Sequence, residues 1–218
     1  MLKEIIKRNY PAEFRAEENN DGVVVGIPIV YDTPTDIGGW FEETIEKGAI
    51  SEETLKSDVR FFWNHNVDEK ALARSIIPLN KNGGMELKTN DKGVEMTARL
   101  NLKRTDANDL YLAIQDETVN AMSFMFGVEA ERWEDLDTDY PKRIITKISP
   151  LIEVSAVNFP AYEQTSIGVR SNLSTENDKF VLEKARSQFK NNKRNAENIT
   201  KNEELELIKI KNRNLGGR

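Results

Sequence analysis

The sequence predicts a mostly β (α+β) fold: a barrel or sandwich of short strands with a few helices packed outside. Three observations carry this. Short apolar runs bounded by turn residues recur as far as Val157, one pair of runs flanks a hairpin signal, and only two stretches before the tail have helical spacing.

In chain order, Gly22-Val-Val-Val-Gly-Ile-Pro-Ile-Val30 reads as a strand ending in a turn around Tyr31-Asp-Thr-Pro34. Ser51 is a candidate N-cap, and Glu52 and Glu53 sit in the first turn, where the helix dipole favours acids. Val59-Arg-Phe-Phe-Trp63 is a short apolar run. Met85 to Thr89 and Val94 to Leu100 alternate on either side of Asn90-Asp-Lys-Gly93, a hairpin signal. A second helix begins at Thr105, with Asp106 in its first turn and Leu110, Ala113, Ile114 and Glu117 at helical spacing. Ala121 to Val128 is a further strand. Ile144 to Ile148 and Leu151 to Val157 follow as two strands separated by Ser149-Pro150.

The character changes after Arg170. Residues 171–218 carry 11 Lys+Arg against 7 Asp+Glu, whereas residues 1–170 carry 20 against 30, so an acidic body bears a basic tail. The tail is rich in Asn, Lys and Glu. Phe180, Val181, Leu182, Ala185 and Phe189 form one weak helical stripe, and Asn214-Leu-Gly-Gly-Arg218 has nothing to pack. The expectation is one domain over 1–170 and a tail over 171–218 that is helical in places and mobile overall. At 38% hydrophobic and 31% charged residues, the 218-residue chain is polar for a compact globule, which agrees with part of it lying outside the core.

Composition also excludes chemistry. Without cysteine there is no disulfide, thiolate metal site or cysteine nucleophile. With one histidine there is no multi-histidine zinc site, and neither a metal nor a cofactor is expected. No apolar run approaches the roughly 20 residues of a membrane span. The opening MLKEIIKRNYPAEF lacks a signal-like apolar stretch, so the expectation is a cytoplasmic protein.

Three residues remain as candidates for chemistry. His65 stands where Phe61-Phe-Trp63 breaks into polar Asn66-Val-Asp-Glu69; it is either a solvated structural histidine or a proton carrier near neutral pH. Ser123 lies inside Met122-Ser-Phe-Met-Phe126, and a hydroxyl there is either bonded to backbone or a nucleophile on a barrel face. Glu153 lies in Leu151-Ile-Glu-Val-Ser-Ala-Val157, where alternation puts Glu153, Ser155 and Val157 on one face. A carboxylate among apolar neighbours needs a partner: a salt bridge, an exposed sheet face, or orientation of His65.

These segments, in this order, resemble the prohead (procapsid maturation) proteases of tailed bacteriophages, the HK97-type group. The resemblance covers roughly residues 10–170. It rests on Phe41-Glu-Glu43 leading to Gly48-Ala-Ile50, on Asn64-His-Asn66 followed by Leu72-Ala-Arg74, on Met122-Ser-Phe-Met-Phe126, and on Ile152-Glu-Val-Ser-Ala-Val157 followed by Pro160-Ala161. Two positions depart from the family pattern: Asn66 stands where an acid commonly follows the histidine, and Met122 where a small residue precedes the serine.

The resemblance implies a fold like that of herpesvirus assemblins, a β-barrel wrapped by helices. It implies a serine endopeptidase with Ser123 as nucleophile and His65 as general base. It further implies cleavage of scaffold, of the N-terminal segment of the major capsid protein and of the enzyme itself, inside the assembling procapsid in the host cytoplasm. Assemblins use a second histidine as third member. His65 is the only histidine here, so a carboxylate fills that place or nothing does, and Glu153 matches the phage family's acidic position. Backbone N–H groups around Lys142-Arg-Ile144, or Arg143 itself, are candidates for the oxyanion hole. A homodimer follows by analogy to assemblins. The tail reads as an autoproteolytic remnant or a docking segment, and its few aromatics argue against nucleic acid as a partner. The rival reading from a different class is a non-enzymatic capsid assembly factor on the same fold.

Overall fold

A computed structural model of the chain describes residues 5–10, 14–17, 22–158 and 172–215. Pro160-Ala161 and the terminal Gly216–Arg218, both used above, lie outside these residues. The elements in order are β1 (Ile5–Tyr10), β2 (Phe14–Ala16), β3 (Val23–Val30), β4 (Thr35–Ile37), β5 (Phe41–Ile45), α1 (Glu52–Leu55), β6 (Arg60–Trp63), β7 (Ala73–Arg74), β8 (Gly84–Thr89), β9 (Gly93–Arg99), α2 (Thr105–Gln115), β10 (Ala121–Glu134), β11 (Lys142–Val157) and α3 (Asn172–Leu215).

The strands form one sheet in the order β1-β10-β11-β6-β7-β8-β9-β3-β2, with β5 paired to β11 and β4 to β5. The sheet curls so that β3 touches β1 and β10, which makes a half-barrel. The expected mostly β class is what the chain adopts; where a barrel wrapped by helices was expected, the described residues form a curled half-barrel sheet with three helices. Local signals work where they are strong. Ser51 caps α1 by accepting from the Thr54 N–H at 3.2 Å. The β8–β9 hairpin turns at Asn90, whose side-chain oxygen accepts from the Lys92 and Gly93 N–H groups.

Two expectations are corrected. The strands expected either side of Ser149-Pro150 are one strand, β11, which runs through a cis Ser149–Pro150 bond with register shifts against β10. Gly127 permits this, since a Cβ there would sit 2.9 Å from both the Ser149 carbonyl and the Pro150 ring. The tail is likewise one helix, α3, rather than helical in places. Leu182 buries against Ile37 and Phe41, beside Trp133 and Leu136. Lys179 lies 4.2 Å above the Trp40 ring. Burying Phe41 and Leu182 is worth about 1.5–3 kcal/mol each.

The main core is apolar and lies inside the curl, with Val24, Ile29, Phe61, Met96, Leu110, Phe124, Phe126 and Val154 fully or almost fully buried. Phe124 and Phe126 stack at 4.7 Å, which fixes the β10 face that points inward. The alternate residues of β10 therefore point to the other face, and Ser123 is among them.

Candidate active site

β11 organises the site because it pairs on both sides. Against antiparallel β10, Ser123 lies opposite Ser155 and Met125 opposite Glu153. Against parallel β6, Ser155 lies beside Phe62 and Ala156 beside Trp63. Directly opposed residues share a face, with Cβ atoms roughly 4.5–5.5 Å apart. Ser123, Ser155 and Glu153 are thus neighbours on one face, and all three are fully buried.

His65 enters from the end of β6. Asn64 and His65 have φ of 53° and 58°, two consecutive non-glycine residues in the left-handed region. Each such residue costs roughly 1–2 kcal/mol and persists only where the surroundings impose it. Here the Asn64 N–H donates to the Ala156 carbonyl at 2.8 Å, and the Asn64 side-chain oxygen accepts from the Asn158 N–H at 3.0 Å. Trp63 Nε1 donates to the Asn158 side chain at 2.7 Å. The turn is stapled to the end of β11, and it swings the imidazole back over the sheet face.

The outcome is a contact between residues 88 apart in sequence: His65 Nδ1 lies 2.7 Å from Glu153 Oε1. The His65 side chain is 14% exposed and that of Glu153 is 0% exposed. The other carboxylate oxygen, Oε2, accepts from the Ser155 hydroxyl. A buried carboxylate costs several kcal/mol unless paired and hydrogen-bonded, and both oxygens of Glu153 are engaged. Of the partners considered for Glu153, the structure shows the histidine. In the tautomer with Nδ1 protonated the ring donates to this carboxylate and Nε2 is free to accept a proton.

Ser123 reaches this face through the strand register, and its hydroxyl donates to the main-chain carbonyl of Arg8 on β1 at 3.0 Å. Arg143, considered as an oxyanion donor, is fully buried with its guanidinium on Glu43 and Glu131, so carboxylates occupy its donors. Beside His65 a cleft of about 430 Å³ is lined by Phe62, Trp63, Asn64, Asn66, Leu72 and Asp106, among others. Its size is that of a pocket for side chains or a small ligand. Among the described residues no cluster of His, Cys, Asp or Glu is arranged to hold a metal, and no helix is long and apolar enough to cross a membrane.

Sequence reasoning placed Ser155 on the face of Glu153 and Asn64 beside His65 but gave neither a role. The signals were present: Ser155 shares a face with Glu153 by alternation, and asparagine is the common non-glycine residue in the left-handed region.

Residues 10–179 match the family model described as caudovirus prohead serine protease. The chain is also 28% identical over 156 residues to the prohead protease of Enterobacteria phage HK97, an alignment covering 72% of this chain and 63% of that protein. The chain thus spans less than two thirds of the length of this relative. No solved structure matches it significantly.

Proposed function

We propose a capsid-maturation endopeptidase with a Ser123–His65–Glu153 triad, on the premise that the chain belongs to the caudovirus prohead serine protease family. The observation that carries the triad is the 2.7 Å contact between His65 and a fully buried Glu153. Ser123 Oγ attacks the scissile carbonyl while His65 Nε2 accepts its proton. The tetrahedral adduct collapses as His65 returns that proton to the leaving amine, and water then hydrolyses the acyl-enzyme by the same relay. Glu153 holds the imidazole in the tautomer with Nδ1 protonated and offsets the positive charge that forms on the ring. In this reading main-chain N–H groups supply the oxyanion donors.

The cleft beside His65 receives substrate side chains. Scaffold, the N-terminal segment of the major capsid protein and the chain itself are the proposed substrates, met inside the procapsid in the bacterial host. The first two also serve as docking partners, and a homodimer remains part of the proposal by fold analogy. The rival, a non-enzymatic assembly factor, is favoured by one observation: the Ser123 hydroxyl is buried and donated to the Arg8 carbonyl. That bond has to yield before His65 can take the proton. A fluorophosphonate probe followed by mass mapping separates the two. An adduct on Ser123 that also requires His65 supports the protease; an unlabelled chain that still assembles into procapsids supports the rival.

The strained turn makes a second expectation. Asn64→Val places a β-branched residue where φ is 53° and removes the amide bond to Asn158. Labelling of Ser123 is expected to slow by about 100-fold, the order of loss for a catalytic group displaced by about 1 Å. Asn64→Gly tolerates the dihedral and loses only the amide bond, so its labelling rate should fall between the two.

A further inference from the structure

Ser155 is a fully buried hydroxyl that the mechanism above does not use. It sits two residues beyond Glu153 on β11 and directly opposite Ser123 on β10. Its Oγ donates to Glu153 Oε2, the oxygen that does not face His65. Among the described residues, His65 is the one basic group within ion-pair distance of Glu153. Among the described residues no arginine or lysine fixes this carboxylate, so its rotation about the last side-chain bond is set by His65 on one oxygen and Ser155 on the other.

We propose that Ser155 is a positioning residue of the triad: its hydroxyl locks the Glu153 carboxylate so that Oε1 faces His65 Nδ1, and so fixes the imidazole tautomer and its aim at Ser123. This rests on the triad reading given above. A glutamate has three rotatable side-chain bonds, and a buried one with a single oxygen satisfied would turn to share its hydrogen bond differently or admit water. Ser155 supplies the second donor from the same strand, two residues away, where the pleat brings the side chains to one face. The rigid sheet therefore carries the general base's orientation, in the manner of a group that supports another group without touching the substrate.

His65 is the only histidine, so an imidazole nitrogen spectrum of the whole chain contains one set of signals. In the unmodified protein that set should show Nδ1 protonated and Nε2 free. Ser155→Ala is expected to fold, to convert the signals to a mixture of both tautomers, and to slow fluorophosphonate labelling of Ser123 by about 10- to 100-fold through the chemical step, with the probe's binding constant little changed. Ser155→Thr, which restores the hydroxyl, should recover the single tautomer and much of the rate. An unchanged tautomer and unchanged labelling in Ser155→Ala would overturn the proposal while leaving the protease intact. A probe adduct on Ser155 in place of Ser123 would also overturn it, by making Ser155 the nucleophile. If the unmodified chain is not labelled at all, the protease reading fails, and the tautomer comparison still decides whether Ser155 orients the pair.

Discussion

Ser123→Ala is expected to remove processing of a co-expressed capsid or scaffold protein, with a loss on the order of 10⁶-fold in turnover against purified substrate. The size follows from the way a triad works. In the proposed triad the hydroxyl, the base and the acid act as one unit, so removing the nucleophile or the base alone is expected to cost about as much as removing all three. His65→Ala should therefore match Ser123→Ala, and the double variant should be no worse than either. Glu153→Gln should fall less far, on the order of 10⁴-fold, because nucleophile and base remain. Its effect is specific in kind. The glutamine amide can offer a donor to His65 Nδ1 in place of an acceptor, which favours the tautomer that cannot accept the Ser123 proton. Intact mass over time reads the same series through self-cleavage. Self-cleavage by Ser123→Ala at the normal rate would exclude Ser123 as nucleophile, and losses that simply multiply in the double variant would show that the residues do not act as a unit.

The sequence exposed what local chemistry determines and hid what distant partners determine. The α1 cap at Ser51 and the Asn90–Gly93 turn each lie within a few residues of the groups they bond, so their types were sufficient. β5 enters the sequence reading only through the Phe41-Glu-Glu43 motif and not as a strand, because Glu43 occupies an inward position where an apolar residue would complete the alternation of Phe41 and Ile45. It is tolerated there by Arg8 and Arg143, which lie 35 and 100 residues away. The outer half of β10, Glu129-Ala-Glu-Arg-Trp-Glu134, is charged and does not alternate; its pairing with Lys142–Lys147 makes it a strand. Asp178 is buried on α3 for the same kind of reason, since its carboxylate meets Arg8 at 2.8 Å. The site divides similarly. His65, Ser123 and Glu153 could each be nominated from their own neighbours, but the meeting of His65 with Glu153 depends on β6 pairing parallel to β11, which no local pattern encodes.

Glu43→Gln is expected to destabilise the chain by about 3–5 kcal/mol, the cost of leaving buried charges without their counter-ion. Glu43 is fully buried and receives Arg8 through two nitrogens at 2.5 and 3.0 Å and Arg143 at 3.2 Å. Arg8 continues to Asp178, and Arg143 to Glu131 at 2.5 Å, so one carboxylate bridges the N-terminal strand, the β10–β11 hairpin and the C-terminal helix. The glutamine has the right shape and no charge, and it leaves two guanidinium groups sharing the remaining acids. At about 2–4 °C per kcal/mol for a chain of this size, the thermal midpoint should fall by about 6–20 °C. The same network sets an acid response. Burial pushes the Glu43 carboxyl up, but Arg8 and Arg143 together outweigh burial and hold it below the ordinary glutamate range. The unfolded chain then binds the extra proton first as pH falls. The stability from Glu43 is fully present above the unfolded value of about 4.3 and is lost as pH drops through the lower folded value. Denaturant titrations across this window should show the difference between the parent and Glu43→Gln shrinking as the solution is acidified. A difference that stays constant, or a loss at neutral pH below about 1 kcal/mol, would mean that the carboxylate does not hold these three elements together.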